Sequence, residues 1–97
     1  MRIIAKRALR LFWEKHRDAE SALRAWHADV QKRSWVRPAD VKSSYPKASI
    51  VGNNRVVFNI VGNRYRLVVA VKYEKALVFI RFIGTHQDYD SIDATTV

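Results

Sequence analysis

Residues 55–84 read RVVFNIVGNRYRLVVAVKYEKALVFIRFIG, and their pattern decides the fold. Three runs rich in Val, Ile, Phe and Tyr, at 55–60, 64–73 and 76–84, predict three strands. Gly62-Asn63 between the first two is a two-residue hairpin signal, and Glu74-Lys75 between the second and third is a weaker one. With both turns two residues long, Asn59 falls opposite Arg66, Val71 opposite Val78 and Leu67 opposite Phe82. Alternation then sends Val56, Phe58, Ile60, Tyr65, Leu67, Val69, Val71, Val78, Ile80 and Phe82 to one face. That face carries no charge and suits a cover of helices.

The other face collects Arg55, Val57, Asn59, Arg64, Arg66, Val68, Ala70, Lys72, Leu77, Phe79, Arg81 and Ile83. Its charges are all positive, and apolar side chains lie between them. Arg81 falls diagonally across from Arg66, within reach of a long side chain. A solvated sheet face also carries charges, but unrelieved like charge is unfavourable, which points to a polyanion as partner. Phe79 in that setting is placed either to stack on a base or simply to pack.

Upstream, the apolar period changes from two to 3.6. Ala8, Leu9, Leu11, Phe12 and Trp13 recur at helical spacing within 5–16, and Ala19, Ala22, Leu23, Trp26 and Val30 within 17–33. Two helices are expected, with Trp13 and Trp26 packed between them and Asp18 just inside the start of the second. Pro38 suits the first position of a short helical turn, and Pro46 ends what precedes it. Helices followed by an antiparallel meander make an α+β domain, two N-terminal helices on a three-stranded sheet, in one unit over 1–97.

Composition bounds the function. The 97 residues are 48% apolar and 11% aromatic, enough for a core, and contain no cysteine. Eighteen Lys and Arg against nine Asp and Glu leave a net charge of +9. An excess of that size indicates nucleic acid or an acidic protein as partner, with a surface kept basic for solubility as the plainer alternative. His16, His27 and His86 are scattered, so neither a metal site nor a cofactor is expected. Residues 1–13 are too charged for a signal peptide and no apolar run is long enough to span a bilayer, so a cytoplasmic protein with no membrane association is expected.

The segment IRFIGTHQDYDSI, residues 80–92, concentrates the proton-handling side chains. Gly84 is expected to break the last strand. If Thr85 caps a short helix, His86 and Tyr89 lie three apart and share a side, beside the basic face. Capping and packing are the ordinary roles for such residues; acid–base chemistry is the alternative.

These stretches resemble a known family. GNNRVVFNIVGNRYRLVVAV, FIRFIGTHQDYDSID and MRIIAKRALRLFWEKHRDAESALRAW are similar to HigB-type toxins of bacterial toxin–antitoxin modules, within the RelE-like superfamily of small α+β ribonucleases. The similarity covers nearly the whole chain, and RFIGTHxxYDxI is its specific signature. It implies a RelE-like fold and an endoribonuclease that cuts messenger RNA during translation on the ribosome. It implies as partner a HigA-type helix-turn-helix antitoxin, through which alone operator DNA is bound. It places RNA on the basic sheet face, with Asn59, Arg64 and Lys72 beside Arg66 and Arg81; Phe79, on that face by register, and Asp90 join them as expected RNA-binding residues. The signature's His and Tyr fall on His86 and Tyr89, and its acid on Asp90.

The implied chemistry is attack of a ribose 2′-OH on the adjacent phosphate, which needs a base, an acid and cations over the phosphorane. An imidazole ordinarily titrates near neutrality, so His86 is the expected acid–base group. Arg66 and Arg81 suit bidentate phosphate contact, and Tyr89 either orients the nucleotide or moves a proton. The rival reading is a non-catalytic basic module that binds RNA or protein. A DNA-binding regulator is weaker, because the cations lie on a sheet and no recognition-helix pattern is present.

Overall fold

Period-two runs in the second half and period-3.6 runs in the first make helix and sheet segregate along the chain. The computed structural model describes residues 1–97. Strand β1 (Arg2–Ile4) leads into α1 (Lys6–Lys15), a 3-10 turn (Arg17–Ala19), α2 (Glu20–Gln31) and α3 (Pro38–Ser44). Then come β2 (Ser49–Val51), β3 (Arg55–Ile60), β4 (Tyr65–Lys72), a second 3-10 turn (Tyr73–Lys75), β5 (Leu77–Thr85) and α4 (His86–Asp90).

The α+β class holds, but the three-stranded antiparallel meander is corrected. It is the centre of a five-stranded mixed sheet ordered β1-β5-β4-β3-β2, in which β1 runs parallel to β5. Both added strands are three residues long, too short to show a period, and they exist because β3 and β5 would otherwise present bare edges. The two N-terminal helices are likewise joined by α3, which begins at Pro38 as expected, and by α4. The step to α2 begins as a 3-10 turn. Asp18 sits in that turn, and its carboxylate accepts from Arg64 and from the Tyr65 hydroxyl at 2.6 Å instead of serving the helix dipole.

The first hairpin has the expected register, with Asn59 opposite Arg66 and Phe58 opposite Leu67. The second keeps its expected register only near its turn, where Lys72 meets Leu77, Val71 meets Val78 and Val69 meets Ile80. That turn is the 3-10 segment plus Ala76 in the left-handed region, φ 54°, rather than two residues. Between Val68 and Val69 the register shifts, so that Val68 meets Phe82 and Leu67 meets Ile83. Arg81 is the extra residue of a β-bulge, and one extra residue exchanges the faces of everything beyond it. Phe82 therefore leaves the helix side, where it was expected, and Ile83 takes that place. Gly84 does not break the strand, which runs on to Thr85. A Cβ on Gly84 would lie 2.7 Å from Phe82 Cζ and 3.1 Å from Asp88 Cβ, so glycine is needed there for close approach.

The helices cover the uncharged face. Leu9 and Trp13 of α1 and Leu23, Trp26 and Val30 of α2 are buried on Phe58, Leu67, Val69, Val71 and Val78. Trp26 and Phe58 meet edge to face at 5.4 Å, as aromatic quadrupoles favour. On the opposite face a smaller cluster of Val57, Val68 and Ala94 takes in Phe82, Tyr89, Ile92 and Val97. Residues 92–97 thus lie across one part of the face expected to be open. No helix is long and apolar enough to cross a membrane.

Candidate active site

Helix α4 owes its existence to local capping. Thr85 Oγ1 accepts from the Asp88 amide at 3.0 Å, and the Asp88 carboxylate accepts from the Thr85 amide at 3.2 Å. This reciprocal box satisfies two donors that a helix start leaves free. The His86 amide also donates to Arg64 O at 3.1 Å, which ties the helix start to the beginning of β4. His86 and Tyr89 consequently have fixed positions on a helix of five residues.

Tyr89 packs with Val57, Val68 and Phe82, and His86 stays in solvent with its side chain 54% exposed. Its Nδ1 lies 3.5 Å from Asp90 Oδ2 one turn later. Asp90 is thus an anionic neighbour of the imidazole, which suits it poorly to hold RNA. The strand positions bring two arginines to this end of the face. Arg66 lies opposite Gly84, next to the helix start, and its Nη1 donates to Asn63 O at 2.9 Å and Tyr65 O at 3.3 Å. Arg81 projects from the bulge, and its Nε donates to the main-chain oxygen of Val97 at 3.0 Å. Both guanidiniums are oriented by main-chain oxygens, and neither pairs with an Asp or Glu side chain, so each keeps donors for an anion. Asn59 is exposed directly across from Arg66.

Three of the expected residues stand elsewhere. Arg64 leaves the basic face and pairs with Asp18, so the acid-free arrangement read from the sequence does not extend to it. The hydrogen bond from Tyr65, with that from Arg64, holds the Asp18 carboxyl below its usual range, and in turn Arg64 and Tyr65 are raised by Asp18. Lys72 is exposed at the far end of β4, six residues from Arg66, or roughly 20 Å along an extended strand. Phe79 is half-buried opposite Ala70 and beside Ile4 of β1, two residues before Arg81 and far from His86. Lys72 and Phe79 lie where only a polynucleotide several residues long reaches both them and His86.

The sequence reading missed Arg55 and the tail as parts of this site. Arg55 Nη2 donates to Val97 O at 2.7 Å, the same oxygen that Arg81 uses, and Asn53 Nδ2 donates to Thr95 O at 2.8 Å. Residues 92–97 contain no period that places them, though Arg55 itself stands on the basic face in the first register. One main-chain oxygen thus sets two guanidiniums side by side, Arg66 stands opposite Gly84, three residues along β5 from Arg81, and an imidazole is held at the rim. Such a set is able to clasp a phosphate and to exchange protons with its oxygens.

Residues 19–92 match the family described as HigB_toxin, RelE-like toxic component of a toxin–antitoxin system. The chain is 29% identical over 96 residues to the mRNA interferase toxin HigB of Escherichia coli strain K12, a match that covers 97% of this chain and 92% of that protein. It is similar to the same extent to the proteins named mRNA interferase HigB from Escherichia coli O157:H7 and Shigella flexneri.

Proposed function

The chain belongs to the HigB family of RelE-like toxins, and from that premise we propose that it is the toxin of a toxin–antitoxin module, an endoribonuclease that cleaves messenger RNA in the ribosomal A site. The observation that carries the site assignment is the gathering of Arg66, Arg81, His86 and Tyr89 at one end of a single sheet face by the bulge and the capped helix. The relatives named mRNA interferase supply the reaction class.

In this reading the ribose 2′-oxygen forms a bond to phosphorus as the bond to the 5′-oxygen breaks, leaving a 2′,3′-cyclic phosphate and a free 5′-hydroxyl. Arg81 and Arg66 face the non-bridging oxygens, where charge grows in the phosphorane. His86 exchanges a proton with the 2′-oxygen or the 5′-oxygen, with the Asp90 carboxylate beside it. Tyr89, fixed by the cluster around Val68, orients the nucleotide or relays that proton. The proton lost by the 2′-hydroxyl and the one gained by the 5′-oxygen are handled between them by His86, Tyr89 and solvent. Asn59 and Lys72 contact the strand on either side, Phe79 offers a stacking surface, and Arg64 acts through Asp18 on the start of β4. The partner is a HigA-type helix-turn-helix antitoxin, and operator DNA is contacted through it.

Purified protein added to programmed ribosomes and to the same messenger RNA alone tests the reading. Cleavage that requires the ribosome and falls about 10²-fold or more in His86→Ala is expected for an acid–base group. Growth arrest and cleavage retained in both His86→Ala and Arg81→Ala would overturn the site assignment, and binding without cleavage by the wild-type chain, with or without ribosomes, would leave a binding module instead.

A further inference from the structure

Two residues that are neighbours in the chain bind the two oxygens of one carboxylate. Asp18, in the turn between α1 and α2, accepts from Arg64 on Oδ2 and from the Tyr65 hydroxyl on Oδ1 at 2.6 Å. Consecutive side chains of a regular strand point to opposite faces. Arg64, just before β4, therefore reaches Asp18 only by turning out of strand geometry toward the helix layer. The Tyr65 ring is buried and gripped from the same layer. Phe12 meets it edge on at 5.2 Å and His16 at 5.4 Å, and these two rings stack on each other at 4.3 Å.

Residues 64 and 65 are also what the start of α4 rests on. Tyr65 pairs with Thr85, the capping residue, and the Arg64 main-chain oxygen accepts from the His86 amide at 3.1 Å. Stability alone does not call for the Arg64 contact, because the pair is exposed, 64% at the arginine, and exposed ion pairs contribute little. The molecule holds a second set of the same chemistry for comparison. Asp29 of α2 accepts from the Tyr45 hydroxyl and from Arg33, and in both sets the tyrosine hydrogen bond is the main cause that holds the carboxyl below its usual range. That second set joins α2 to the residue that ends α3, and no hydrogen bond links it to residues 64, 65 or 85–90.

We infer that Asp18 is a positioning residue for His86: by holding Arg64 and Tyr65, it lets the helix layer fix where the imidazole stands beside the phosphate site. The inference rests on the toxin reading, which gives His86 its role, and it adds to that site a residue from the other side of the sheet. An acid–base group must stand within hydrogen-bond reach of the proton it moves, and a misplacement of about 1 Å can cost about 10²-fold in rate.

The test sets Asp18→Asn and Asp18→Ala against Asp29→Asn and Asp29→Ala. The kcat and KM of ribosome-dependent cleavage are measured separately, and His86 is followed by the NMR shifts of its ring. Asp18→Ala is expected to lower kcat about tenfold with KM within about twofold of wild type, since the loss falls on the step and not on RNA binding. Asp18→Asn, which keeps an acceptor for Tyr65, should lose less. The Asp29 variants should melt lower to a similar extent yet cleave within about twofold of wild type. In the His86→Ala background, Asp18→Ala should change kcat by less than about twofold, because nothing is left for it to position. The His86 ring shifts should move in Asp18→Ala and stay in place in Asp29→Ala. Equal losses of kcat in the two series would reduce Asp18 to general stability, and a full tenfold loss in the His86→Ala background would mean action by another route. Either result overturns the inference, as do unmoved ring shifts, or a raised KM with kcat unchanged, which would make Asp18 and Arg64 part of RNA binding. If the wild-type chain does not cleave with ribosomes present, the toxin reading fails, and the ring shifts still decide whether Asp18 sets the position of His86.

Discussion

Leu67 and Val68 are consecutive residues of β4, both fully buried, on opposite faces of one sheet. Leu67 lies under two helices, in a cluster that includes three tryptophans. Val68 lies under Phe82, Tyr89 and a six-residue tail, among side chains that are mostly half-exposed. Equal burial here does not mean equal packing, since a core between rigid layers cannot relax and a thin roof can. The helix-covered face carries the stability, and the tail-covered face is arranged around the cations.

Four measurements break or sharpen that contrast. Leu67→Ala is expected to destabilise by about 2–5 kcal/mol, the range for a buried aliphatic truncation. Val68→Ala should lose only about 1–2 kcal/mol, close to the transfer of the missing methyl groups, because the tail settles into the gap. Denaturant midpoints compare the two. Equal losses would make the tail-covered face as firm a core as the other.

The next effect is on rate. Arg81→Ala is expected to lower ribosome-dependent cleavage about 10²-fold, as loss of one donor to a developing oxyanion does. Arg81→Lys should recover little of it, since an ammonium cannot hold two oxygens or the Val97 oxygen in the same geometry. Melting should shift only slightly, because the exposed hydrogen bond to Val97 is worth about 0.5–1.5 kcal/mol. A loss of folding as large as the loss of rate would mark Arg81 as structural.

Gly84→Ala comes third. The new methyl meets the Phe82 ring and Asp88 Cβ, so overpacking of about 1–3 kcal/mol is expected, with α4 displaced and cleavage reduced. Phe82→Leu in the same chain should restore part of both, and the double-mutant cycle reads the coupling directly. Absence of coupling would mean that the bulge does not hold α4 in place through this contact.

The smallest effect is on pH dependence. Hydrogen bonds from Tyr65 and Arg64 lower the Asp18 pKa in the folded state. A carboxyl lowered on folding contributes stability above its unfolded pKa near 3.9, and the contribution vanishes as pH falls through its lower folded value. Asp18→Asn should therefore be less stable than wild type at neutral pH, with the gap closing only below about pH 4. Urea midpoints across that range measure it. A gap that persists in strong acid would make the hydrogen bonds, not the charge, the source.

Much of this was legible because it is local. Strands β3 and β4, their register and the uncharged face follow from alternation and from Gly62-Asn63. The capped helix α4 follows from Thr85, and the turn into α3 from Pro38. His86, Tyr89, Arg66 and Asn59 could be gathered because they lie on the correctly registered strand pair or on that helix. What was not legible depends on partners remote in sequence. Three-residue strands β1 and β2 have no period of their own, and Arg64 was drawn from the face by Asp18, 46 residues away.

The sequence by itself determined the class of fold, the separation of a charged from an uncharged sheet face, and the segment that carries the acid–base side chains. These properties reside in side-chain period, turn chemistry and capping, which act over a few residues. Only the tertiary structure decided the edge strands, the bulge at Arg81 with its exchange of Phe82 and Ile83, and the return of residues 92–97 onto the basic face. A bulge leaves no mark on hydrophobic alternation when Phe82 and Ile83 are both apolar, so either register satisfies the pattern. The choice fell to what each side chain meets: Ile83 fits against the helix-side core, Phe82 closes over Gly84 and Val68, and Arg81, left unpaired between registers, reaches the oxygen of Val97.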